Sequence, residues 1–186
     1  MDLHTSILEA CITVFNKKGI KFTMDDLAKE LSISKKTIYS VFNDKESLLL
    51  QMVDYCFDGI KDSENKVLSD SSLNTAEKIE TILGVLPDCY QNLDFSQLYL
   101  IKDKHPLVYS QIEQRLENGW ENTIALLEQG MQEGVVRPIH PIIIKTIFEA
   151  TLEQFLKRDL LEKNSITYQQ ALKETVKTLT RGIIVD

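Results

Sequence analysis

Apolar residues recur at spacings of three and four along almost the whole chain of 186 residues, and this constrains the fold more than any other feature. No alternating run bounded by hairpin turns competes with it. Leu3, Ile7, Ala10, Cys11, Val14 and Phe15 form one stripe, which stops at Gly19, a natural C-terminal cap. Thr23 precedes MDDLAKEL, with Asp25 and Asp26 in the first turn, as at a capped helix start, and Leu27, Ala28 and Leu31 are its apolar positions. Ser34 caps a short helix that gives Ile38, Val41 and Phe42 to a core. Asn43 and Asp44 break it. A longer helix then carries Leu48, Leu49, Met52, Val53, Cys56, Phe57 and Ile60. The polar stretch SENKVLSDSSLNT, 63–75, reads as the first real loop, and Asn74 with Glu77 as a capping box after it.

Pro87 should kink or end that next helix, and Pro106 suits a helical first turn. Ile112, Leu116, Trp120, Ile124, Leu127 and Met131 continue the period to Gly134, with a bend expected at Asn118-Gly119. Pro141 opens a helix with an unusually wide apolar arc, and Thr167 with Gln170 makes a capping box for the last one. The expectation is an all-α chain of roughly nine helices.

Other classes are disfavoured. No window reaches the ~18 apolar residues of a membrane span, so no membrane role is expected. The start, MDLHTSILEACITVF, lacks a basic n-region and a cleavage site, which argues against secretion and for a cytoplasmic protein. Cys11, Cys56 and Cys89 are widely spaced, as reduced buried residues would be. His4, His105 and His140 have no metal-ligand spacing, and no Gly-rich phosphate loop or GxSxG is present. No enzyme, metal or cofactor is therefore expected.

The formal charge is −7, yet residues 1–50 hold seven Lys and seven Asp or Glu, so the acidity lies wholly in residues 51–186. An acidic body repels polyanions, and any nucleic-acid contact must come from a local face of the neutral part. The segment SKKTIYSVFNDKESL, 34–48, supplies one. Three short helices within about 45 residues match the helix-turn-helix plan. Leu27, Ala28, Leu31, Ile33, Ile38 and Phe42 pack the second and third helices together. Lys35, Lys36, Tyr39 and Ser40 then occupy the opposite face of the third. Such a helix fits the DNA major groove, ~12 Å wide, where cations and hydroxyls meet phosphates and base edges. Lys45 sits at a helix start, which is poor for the helix dipole and good for a phosphate.

Residues 7–53 resemble the N-terminal domain of the TetR family of bacterial transcriptional regulators. The resemblance is carried by Ala10, Phe15, Gly19, Thr23, Leu27-Ala28, Ser34, Thr37, Tyr39, Phe42, Lys45, Glu46 and Leu48 in order and spacing. It implies a helix-turn-helix DNA-binding domain, 1–46, and a helical effector-binding and dimerisation domain, 47–186. It also implies that Thr23, Thr37, Tyr39 and Lys45 contact phosphates while Lys35, Lys36 and Ser40 face base edges, with Ser34 at the start of the contact helix. Two residues depart from the family pattern. Ser32 stands where many members have Gly, and Lys36 where a small residue is frequent.

In the body, Leu172, Val176, Leu179 and Ile183 form a narrow seam suited to helix–helix packing. Ile144, Ile147, Phe148, Thr151, Leu152 and Phe155 give the preceding helix more apolar surface than one neighbour covers. A homodimer is expected to use Ile144, Phe148, Thr151, Phe155, Leu172, Val176, Leu179 and Ile183. The resemblance points the same way, and two recognition helices could then read half-sites ~34–36 Å apart on a double-stranded DNA operator. It further implies a pocket for a small-molecule effector, for which Tyr90, Phe95, Tyr99, His105, Tyr109, Trp120 and Phe148 are the candidates, with Gln97 as a further polar group. The expected function is a ligand-responsive homodimeric repressor released from a palindromic operator. The alternative is an all-helical small-molecule or protein-binding module that has lost DNA binding.

Overall fold

The computed structural model describes residues 2–86 and 99–185, so Pro87, Cys89, Tyr90, Phe95 and Gln97 lie outside the described residues. Those residues form eleven α-helices and no strand: α1 (Leu3–Lys18), α2 (Met24–Leu31), α3 (Lys35–Tyr39), α4 (Lys45–Ser69), α5 (Thr75–Leu83), α6 (Tyr99–Lys104), α7 (Pro106–Glu117), α8 (Glu121–Gln132), α9 (Pro141–Lys157), α10 (Leu160–Lys163) and α11 (Tyr168–Ile183). The short α6 and α10 carry the count beyond nine. One isolated antiparallel bridge, Val136 to Ile184, ties the chain's end to the α8–α9 connection.

Local chemistry sets most of the boundaries. Thr23, Asn74 and Thr167 each accept from the backbone N–H three residues on, and Asp26, Glu77 and Gln170 return the bond. The expected break at Asn118-Gly119 separates α7 from α8. Gly119 has φ +81°, and a Cβ there would lie 2.6 Å from Lys61 Cε. The expected loop at 63–75 is shorter than its polarity implied, because α4 runs on to Ser69. Its 25 residues make a rod about 37 Å long.

Two apolar clusters flank that rod. The first joins α1–α3 to the start of α4, through Phe15, Leu27, Ile38, Phe42 and Leu48, and continues into Ile101, Val108 and Ile112 of α6 and α7. Packing is therefore continuous across residue 46. The second is built by α5, α8, α9 and α11 around Ile79, Leu127, Ile144 and Leu172.

The turn between α2 and α3 forms without glycine. Ser32 takes φ 55°, ψ 37°, and the Ile33 N–H returns to Ala28 O at 3.0 Å. A Cβ in this region costs ~1–2 kcal/mol, partly offset by the greater unfolded-chain freedom of glycine. Ser32→Gly is expected to stabilise the protein by about 0.5–1 kcal/mol, raising the melting temperature by ~1–4 °C in a thermal unfolding scan. An unchanged or lower midpoint would show that the turn stores no such strain.

Candidate nucleic-acid interface and internal cavity

The candidate DNA contacts cluster around α2 and α3. Thr23 is exposed at the N-cap of α2, and its hydroxyl lies 2.9 Å from Asp26 Oδ2. The Lys18 ammonium and the Thr23 N–H and hydroxyl hold the Asp26 carboxyl well below the usual range. Ser34 caps α3, accepting from the Thr37 N–H at 3.1 Å while its hydroxyl lies 2.8 Å from that of Thr37. Ser40 donates back to Thr37 O at 2.7 Å. Ile38 points into the core, and Tyr39 is 44% exposed beside exposed Lys36 and Ser40.

Charge is arranged less simply than the sequence implies. Lys35 meets Asp25 Oδ2 at 2.8 Å, an acid supplied across the turn by α2. Lys17 pairs with Glu30 and Lys18 with Asp26. Lys21, Lys29 and Lys36 are exposed and have no acid partner among the described residues. Exposed pairs are worth ~0–1 kcal/mol, so a phosphate can compete for Lys35.

Lys45 departs from the sequence expectation. Its ammonium does not project from the start of α4. It donates to Ile20 O and Phe22 O, each at 2.6 Å, and lies 4.1 Å from the centre of the Phe22 ring. The reason is local: the turn after α1 leaves carbonyls facing α4, and a half-buried cation satisfies them. Burial holds this ammonium below its ordinary value.

A cavity of about 180 Å³ lies where α1, α4, α5, α6, α7, α8, α9 and α11 converge. Trp120 and Phe148 line it, with their rings edge to face at 5.6 Å. Two candidates do not. His105 is at the N-cap of α7, its Nδ1 4.0 Å from Glu46 at the head of α4. Tyr109 is buried in the first cluster, because the wall takes Val108, Ile112 and Arg115 from α7 and Tyr109 lies one residue round the helix. Tyr99 opens α6. Sequence reasoning missed Glu64 and Glu149. Each is an acid on an otherwise apolar helix face, Glu64 in line with Phe57 and Ile60 and Glu149 beside Phe148 and Leu152, and that misfit was the available signal.

Much of the expected dimer seam packs inside the chain itself. Leu172, Val176 and Ile183 are buried in the chain's own second cluster with Ile144 and Phe148, and Leu179 packs against the same cluster. Phe155 meets Tyr168 of the same chain at 6.5 Å, and the Thr151 hydroxyl donates to Ile147 O. The chain's own α5 and α9 fill the α11 stripe. What α9 leaves outside is Ile142, Ile143 and Ile147, 45–48% exposed.

A three-helix head presenting Lys36, Tyr39 and Ser40 is joined to an all-helical body, the arrangement of a helix-turn-helix transcriptional regulator. The sequence model of the tetR family of bacterial regulatory proteins matches residues 7–52, the head of this chain. It is 27% identical over 180 residues to an uncharacterized HTH-type transcriptional regulator, YvaF, of Bacillus subtilis, spanning 97% of this chain and 95% of that one. It is 26% identical over 160 residues to IcaR of Staphylococcus aureus, the HTH-type negative transcriptional regulator of the biofilm operon icaADBC, covering 86% of this chain and 79% of IcaR. The fold is shared with a TetR transcription regulator from Haloarcula marismortui, at a TM-score of 0.73 and 16% identity, over 98% of each chain. Among the described residues, no helix is long and apolar enough to cross a membrane.

Proposed function

We propose that the protein is a cytoplasmic homodimeric repressor that leaves a palindromic operator when a small molecule enters the cavity. The reading assigns residues 1–46 to DNA and 47–186 to effector and dimer. One observation carries the effector part: Phe15 of α1 and Met52 and Val53 of α4 belong both to the core of the head and to the cavity wall. A ligand pressing on them acts on the side chains that hold the reading head to α4, with no intermediate element. It need only bind better to the arrangement that mis-spaces the two heads.

The dimer reading rests on Ile142, Ile143 and Ile147, an apolar face on α9 that the chain itself leaves uncovered. The repressive sign is supported by the likeness to IcaR, a negative regulator. In DNA recognition, Thr23, Thr37 and Tyr39 fix the register on phosphates, Ser34 starts the contact helix, and Lys35, Lys36 and Ser40 approach base edges.

Selection of duplexes from random DNA by the purified protein tests this reading, with Lys36→Ala/Tyr39→Ala as the control. Wild type is expected to enrich an inverted repeat with half-sites about one helical turn, or a multiple of it, apart, and the control is expected to enrich nothing. A lone half-site would remove the dimer from the proposal. No enrichment at moderate salt would remove DNA recognition.

A further inference from the structure

The acids of α2 do not all face the same way. Asp26 and Glu30, one helical turn apart, lie against Lys18 and Lys17 of α1. Asp25 is turned to the other side. Its side chain is 63% exposed, and its Oδ2 accepts from the Lys35 ammonium at 2.8 Å. Lys29, four residues on and the ordinary helical partner of such an acid, is exposed and has no acid partner among the described residues. A carboxylate therefore stands on the surface that carries Lys35, Lys36, Tyr39 and Ser40, two residues after Thr23. An acid there repels phosphates and weakens the sequence-independent part of DNA binding. Base edges are different, because they present donors as well as acceptors.

The pair has a definite hydrogen-bonding pattern. An ammonium carries three hydrogens, of which Asp25 takes one and leaves two. The carboxylate keeps further lone pairs, and its Oδ1 accepts no hydrogen bond among the described residues. Two donors beside an acceptor complement the major-groove edge of a G·C pair, where guanine shows N7 and O6 and cytosine its N4 amine. The spacing agrees. Guanine O6 and cytosine N4 are joined by a hydrogen bond of about 2.9 Å, and Lys35 Nζ and Asp25 Oδ2 are 2.8 Å apart. We propose that Asp25 and Lys35 together read one G·C pair in each half-site, the ammonium on guanine and the carboxylate on the cytosine amine. An A·T pair in the same place sets the adenine amine against the ammonium and thymine O4 against the carboxylate. The ion pair is weak in open solvent, and exclusion of water by the base edges strengthens it on DNA. The inference rests on the reading of α2 and α3 as the DNA-binding face, and adds the base pair read there and the part of Asp25 in reading it.

Asp25→Ala in the full chain tests this, on the operator obtained by selection from random DNA and on duplexes with each half-site base pair changed in turn. Wild type is expected to lose at least about tenfold in affinity when one particular G·C pair becomes A·T, and Asp25→Ala at most about threefold at that pair. Lys35 freed from its acid turns to a phosphate. Asp25→Ala is therefore also expected to bind a scrambled duplex severalfold more tightly, with a slope of log K against log salt steeper by about 0.9. Asp25 lies in the first turn of α2, where an acid favours the helix. A purely helical role would lower the melting temperature and leave both the base-pair discrimination and the salt slope unchanged, and that result overturns the inference. An operator whose half-sites tolerate A·T at every position overturns it too. The two readings fail separately: wild type selecting no sequence would remove DNA recognition itself, whereas a selected operator read equally well by Asp25→Ala would remove only the role of the pair.

Discussion

Replacing Ile143 and Ile147 together by glutamate is expected to give a folded monomer whose operator affinity is at least a hundredfold weaker. Both side chains are nearly half exposed, so the change costs the isolated chain little, and glutamate is the better helix former. In a two-fold interface the same patch meets itself, so two substitutions place four carboxylates together and remove four apolar side chains. Each freed head then binds its half-site alone and loses the gain of a linked second site, which runs to ~10²–10⁴. Sedimentation velocity reads the mass, and fluorescence anisotropy with a labelled operator reads the affinity. A variant that remains dimeric would move the interface to the polar outer face of α11. Val176→Glu gives the contrast. Val176 is 4% exposed in the chain's own core, so an acid there is expected to unfold the protein instead of splitting a dimer.

That contrast marks how far the sequence could be read. The capping boxes at Thr23–Asp26, Asn74–Glu77 and Thr167–Gln170 were legible because both partners lie within one turn of the chain. The break at Asn118-Gly119 was legible because few dipeptides interrupt a long helical period. The spacing of Leu172, Val176 and Leu179 fixed a stripe on α11 but carried no record of what covers it, and α5 and α9 of the same chain do. Lys35 looked uncompensated because its acid, Asp25, lies in the preceding helix and is brought close only by the Ser32 turn. The cavity was least legible. Its wall is shared among eight helices far apart in the chain, and Glu64 and Glu149 read alone as ordinary solvated acids.

Lys45→Ala is expected to lower stability by about 2 kcal/mol, seen as a fall of ~4–8 °C in the melting temperature. The sequence offers this lysine as a phosphate contact, whereas the structure uses it as a tie between α4 and the turn after α1. Hydrogen bonds to a charged group are worth ~1.5–3 kcal/mol in total loss, and the half-exposed setting keeps the figure in the lower part of that range. The alanine variant strands two carbonyls, Ile20 O and Phe22 O, and removes the cation from the Phe22 ring. Salt dependence of operator binding distinguishes the two roles, because each phosphate contact adds ~0.9 to the slope of log K against log salt on duplex DNA. Lys36→Ala, at a base-edge position, should weaken operator binding with the melting temperature unchanged, since Lys36 is exposed and pairs with no acid among the described residues. Lys45→Ala should lower the melting temperature and leave the slope alone, its loss of DNA affinity following the loosened head. The reverse pattern, an unchanged melting temperature with a reduced slope, would mean that the ammonium leaves its two carbonyls for DNA. An ammonium has three donors and the carbonyls take two, so a loss in both measurements would assign the third donor to a phosphate.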